Sequence, residues 1–133
     1  MKARFLVLSL LIVGTMSVGT VASRGQGVAG PRTWAMINFV DPVRVMDKIV
    51  MGPVMIVHDY QKMEQGEACT TFYRFDPARG PQEVLISFHC TPVQRTVAST
   101  TNLTVSDAPE VGCKRLIEYQ IAGESEAHAI PTK

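Results

Sequence analysis

Beyond residue 31, apolar and polar positions alternate in short runs, and Gly, Pro and Asp punctuate them every eight to twelve residues. Alternation with period two marks half-buried strands, and no stretch there keeps the 3.6-residue stripe of an amphipathic helix. The clearest unit is Ala68 to Cys90, where runs rich in Thr, Phe, Tyr, Val and Ile flank Asp76-Pro-Ala-Arg-Gly-Pro81. It reads as a β-hairpin. A turn centred between Arg79 and Gly80 would set Cys69 opposite Cys90, Thr71 opposite Phe88, Tyr73 opposite Ile86 and Phe75 opposite Val84, all on one largely apolar face. Phe72 would then lie on the other, mixed face. The facing cysteines, Cys69 and Cys90, are expected to form a disulfide; a ring of that size contributes roughly 3 kcal/mol in the chain-entropy account.

The remaining pattern supplies the other strands. Arg32 to Val40 forms the first, broken by Asp41-Pro42 and resumed at Val43 to Val45. Ile49 to Met51 stops at Gly52-Pro53, and Val54 to His58, apolar up to its last residue, suits a central strand. Asp59 to Glu67 is polar, a loop or one helical turn. Short strands follow at Val93 to Val97 and around Leu103 and Val105. Lys114 to Ile121 comes last, with Ile117, Tyr119 and Ile121 on one face. The segment from Ala122 is small and polar. Seven or eight short strands at this spacing predict an all-β fold, a compact antiparallel β-sandwich or small barrel.

The N-terminus has another character. Lys2 and Arg4 precede the apolar run Phe5 to Val13, and small residues at 20–23 offer a cleavage site, so residues 1–23 read as a secretory signal peptide. The apolar run is too short for comfortable membrane spanning, and no stable span is expected after cleavage. The Gly-rich residues 24–31 form a flexible lead-in and 32–133 a single β domain. The expected location is secreted or periplasmic. Without Lys2 and Arg4 the chain has 11 basic and 12 acidic side chains and no charge runs. That balance offers no nucleic-acid surface and no polybasic membrane patch.

The plan of Phe39-Val-Asp-Pro-Val-Arg-Val45, a tight turn, a strand opened by Met51-Gly-Pro53, the later hairpin and a closing strand with a small polar tail resembles a group of small secreted bacterial all-β proteins of unknown function. The resemblance implies an exported all-β domain and brings no activity, cofactor or catalytic residue with it.

Candidate chemistry is sparse. His58, His89 and His128 are the only histidines, and Cys113 is the cysteine left over by a Cys69–Cys90 pair. These four are the candidate copper or zinc ligands. No H-x-H, C-x-x-C or H-E-x-x-H spacing supports them. His89-Cys90 is no nucleophilic dyad in a strand, because neighbouring side chains point to opposite faces. The pairs Glu64 with Glu67 and Glu124 with Glu126 lie in polar segments and read as solvated. Trp34, Phe39 and Tyr60 are core aromatics or a recognition surface. Asn102-Leu-Thr104 matches a glycosylation acceptor. No catalytic residue and no cofactor site emerges, and the chain is not expected to be an enzyme. The first functional reading is an exported β-domain serving as a binding, accessory or structural subunit of an envelope or extracellular assembly, its partner another protein or itself. The second is a small periplasmic protein that binds copper or zinc through His and Cys.

Overall fold

A computed structural model describes residues 32–132; the expected signal peptide and lead-in lie outside them. Eight strands carry the domain: β1 (Arg32–Val45), β2 (Lys48–Asp59), β3 (Thr70–Asp76), β4 (Gly80–Phe88), β5 (Thr91–Gln94), β6 (Asn102–Ala108), β7 (Cys113–Gln120) and β8 (Glu126–Ala129). One short helix, α1 (Tyr60–Glu64), follows β2, and a single 3-10 turn at Pro109–Val111 precedes β7. The fold is all-β, as the alternation predicts. The strands form one curled sheet, a half-barrel, in the order β4-β3-β2-β1-β7-β8-β5, with β6 paired to β7. Every neighbouring pair is antiparallel except β1 with β7, which run parallel through Val43 and Arg44.

Asp41-Pro42 does not end the first strand. The β1–β2 register shifts between Phe39 and Val43, so the proline sits in a bulge, where a residue without an N–H is tolerated. Gly52, at φ +82°, likewise lets β2 run through opposite Phe39. The strand expected to be central is central: β2 lies between β1 and β3, with Val54, Ile56 and His58 wholly buried.

The hairpin exists, but its register differs from the sequence expectation. Thr70 faces Phe88, Phe72 faces Ile86 and Tyr73 faces Val84. The turn is Pro77–Arg79, held by Asp76, whose Oδ1 accepts from the Ala78 N–H at 2.8 Å. Gly80 follows at φ +88°, and register shifts on either side of Tyr73 displace the pairing further. The inward face is therefore Thr70, Phe72 and Phe88, while Val84 is 54% exposed. Phe72, expected on the mixed face, is fully buried and meets Tyr119 edge to face at 6.4 Å. Removing such a ring costs about 3–5 kcal/mol.

A second bulge inverts part of β7. Thr104 pairs with Glu118 but Val105 with Leu116, so Ile117 is passed over. Leu116 and Tyr119 both turn inward and Ile117 is 38% exposed. The segment after Ala122, expected as a polar tail, supplies β8, which pairs with β5 and β7 and buries Ala127 and His128.

Candidate metal centre

The ends of three chain segments meet under α1. β2 delivers His58 as the last inward residue before Asp59. Cys69 precedes β3, and Cys90 lies between β4 and β5. Both cysteines stand just outside regular pairing, where the hairpin opens. The Cys69 N–H still donates to Phe88 O at 3.1 Å. This geometry turns both sulfurs inward, and Cys69, Cys90 and His58 are all buried.

The pair expected as a disulfide consists of two free thiols, with sulfurs 2.9 Å apart. Cys90 Sγ also lies 3.4 Å from His58 Nε2, 3.6 Å from His128 Nδ1 and 3.9 Å from Met63 Sδ. One donor atom each from His58, Cys69 and Cys90 falls within 4.8 Å of the others. A tetrahedral ion with bonds of about 2.3 Å to sulfur and about 2.0 Å to nitrogen sets S···N edges of roughly 3.5 Å and S···S edges of roughly 3.8 Å. The Cys90–His58 edge fits directly. For both sulfurs to bind one such ion, Cys69 and Cys90 must part by about 0.9 Å. The Cys90 N–H donates to Cys69 Sγ at 3.2 Å.

His128 flanks the group without joining it. Its ring stacks on that of His58, with centroids 3.8 Å apart and planes 25° off parallel. An imidazole lone pair lies in its ring plane, so two stacked rings cannot aim at one ion unless one of them turns. The other face of the His128 role is Glu124, whose Oε2 lies 3.4 Å from His128 Nε2. A carboxylate on the far nitrogen of a histidine is a common way of fixing ring orientation beside a metal.

Burial sets the electrostatics. It drives the His58 pKa down to about 3, helped by the neighbouring His128, against weaker opposing effects of Glu124 and Asp59. His58 is thus neutral at physiological pH, with a lone pair available. Burial and the contact with Cys69 push the Cys90 thiol up to about 12, so without a cation it stays protonated. Burial is the largest single influence on Glu124 and opposes its ionisation, but the contacts with His128, Thr33 and Tyr60 together outweigh it and hold the carboxyl below its usual value. His58 Nδ1 and Glu124 Oε1 are buried without a partner. Such unpaired atoms are uncommon in protein interiors and mark polar capacity that the chain itself does not use.

Of the four metal candidates read from the sequence, the fold brings His58 and His128 together and leaves two aside. His89 is exposed, its Nδ1 3.0 Å from the Glu67 carbonyl and 3.8 Å from Cys69 Sγ. Cys113 opens β7 opposite Ala108 and lines a separate groove. Cys69 and Cys90 take their place as donors; assigning them to a disulfide removed them from the ligand set, although any hairpin that juxtaposes two cysteines also juxtaposes two thiolates. Glu124, read as solvated, is 8% exposed. Glu64 and Glu67 are exposed as expected. Of the aromatics, Phe39 is core, Trp34 is 39% exposed, and Tyr60 stands edge-on to His58 at 4.4 Å.

Comparison with protein-family models, with curated proteins and with solved structures finds no match to this chain.

Proposed function

We propose that the protein binds a single soft metal ion, copper or zinc, in the pocket formed by His58, Cys69 and Cys90. The observation that carries this reading is the convergence of three buried donor atoms from three chain segments within 4.8 Å. Imidazole nitrogen with thiolate sulfur is the donor set that copper(I) and zinc(II) prefer over magnesium, calcium or manganese. Cys90, His128 and Glu124 lie in a thiol–imidazole–carboxylate line, but burial raises the thiol pKa to about 12, whereas a nucleophilic cysteine needs a lowered one.

Among the described residues no helix is long and apolar enough to cross a membrane. The accessory-subunit reading draws on a different feature, the open apolar groove at Cys113.

The test is elemental analysis of protein purified reduced, without chelator, beside protein stripped with chelator and reloaded. The expected result is one equivalent of copper or zinc, release of thiol protons on loading, and a higher melting temperature with the ion. Less than about a tenth of an equivalent after reloading, with no shift in melting temperature, overturns the proposal.

A further inference from the structure

We infer that the thioether of Met63 is a donor reserved for copper(I), so that the one pocket holds copper(I) through His58, Cys90 and Met63 and zinc(II) through His58, Cys69 and Cys90. The inference rests on the metal-binding reading above and adds the element of choice between the two ions.

Met63 lies on α1, the helix that covers the pocket. Asp59 fixes the helix start by accepting from the Lys62 N–H at 3.1 Å, one residue after His58, so helix and ligand strand share a joint. Met63 is partly buried and packs against the core. Its Sδ stands 3.9 Å from Cys90 Sγ. For trigonal coordination with sulfur bonds of about 2.3 Å, adjacent sulfurs sit roughly 4.0 Å apart, so this edge is already in place. The Cys69–Cys90 separation of 2.9 Å is too short for both sulfurs to bind one ion without parting.

Charge and softness then divide the two ions. One thiolate neutralises copper(I), leaving Cys69 as a protonated thiol; two thiolates neutralise zinc(II). A net charge in a buried site is costly, so each ion favours its own sulfur count. Thioether is a soft ligand that suits copper(I) and does not feature in zinc's usual set of Cys, His and carboxylate.

The experiment titrates reduced, metal-free protein with copper(I) and, separately, zinc(II), each against a chromogenic competitor, for wild type, Met63→Leu and Cys69→Ser. Met63→Leu is expected to weaken copper(I) at least tenfold and change zinc by less than threefold. Cys69→Ser is expected to do the reverse. Copper-edge X-ray absorption of selenomethionine-labelled wild type loaded with copper(I) should show a selenium neighbour, and the zinc edge of the zinc-loaded protein should show none, which decides the matter even where a variant misfolds. Unchanged copper(I) affinity in Met63→Leu, equal weakening of both ions, or a wild type that binds zinc alone each overturn the inference and leave the metal-binding reading standing. A wild type that binds neither ion removes that reading itself.

Discussion

Two regions of this half-barrel carry a free cysteine, and they differ in what surrounds the sulfur. Under α1, Cys90 is closed off from solvent and faces another thiol, two imidazoles and a thioether. On the other side, Cys113 borders an open groove of about 750 Å³ whose walls include Ile37, Phe39, Val43, Ile49 and Leu103. The groove is larger, yet it offers no second soft donor. Ile49 and Val40 stand 56% and 75% exposed along it. Size alone does not set the two regions apart; convergence of donors in a dry setting does, because each contact inside is strengthened by the low local dielectric.

The strongest way to break this comparison is to exchange serine for each cysteine in turn. Cys90 is nearest to every other donor, so Cys90→Ser should lower affinity for copper(I) and for zinc at least a thousandfold. Cys113→Ser should leave both within twofold. Competition titration reads both, and equal losses would erase the distinction between the regions.

The stacked imidazoles allow a finer cut within the closed region. On the metal-binding proposal His58 supplies a donor and His128 only orients, so His58→Ala should cost more than a hundredfold in affinity. His128→Gln should fall near the lower end of the 10–100-fold range for supporting residues. If His128 proves the more damaging of the two, the ring that binds is the one held by Glu124.

Acidity separates the regions next, since the Cys113 groove contains no histidine among its walls. The folded-state pKa of His58 is lowered from 6.5 to about 3, so the unfolded chain takes up the proton first. Stability from this group is full above pH 6.5 and is lost as pH falls towards 3, at no more than about 1.4 kcal/mol per pH unit. Glu124, with its lowered pKa, adds loss in the same direction only below the ordinary carboxylate range. Urea unfolding of metal-free protein between pH 6.5 and 5 therefore isolates His58, with an expected loss of about 1–2 kcal/mol. His58→Phe should flatten that slope; an unchanged slope would mean the imidazole is not dry.

How much of this was legible in the sequence depends on whether the information was local. The central position of β2 could be read, because an apolar run from Val54 to Val57 has to be covered on both faces. The hairpin could be read from its residue types. Its register could not, because Gly80 and the shifts around Tyr73 each change which residue faces inward, and a one-residue change reverses a strand. β8 was hidden because Glu-Ala-His-Ala has no apolar pattern of its own; its burial comes from β5 and β7. The site was visible only as residue types. His58 and His128 stack through a curling of the sheet that no spacing encodes, and Met63 enters from a five-residue helix whose start signal, Asp59, says nothing of where the helix points.

The smallest expected effect concerns Cys113 itself, and it probes the open side directly. Cys113 is partly exposed whereas Cys69 and Cys90 are buried, and a thiol reacts only as accessible thiolate. Native reduced protein treated briefly with iodoacetamide should therefore gain one adduct, on Cys113, located by peptide mass. The adduct lies on the groove wall and touches none of the donors, so metal affinity should stay within twofold and unfolding free energy within about 0.5 kcal/mol, the usual range for a surface change. Prior loading with metal should leave the Cys113 rate unaltered, while the slow labelling of Cys69 and Cys90 that follows local opening should fall further, because an ion that binds only the closed form opposes that opening. Fast labelling of Cys90 in the absence of metal would show the pocket to be open, and the contrast on which the metal assignment is built would disappear.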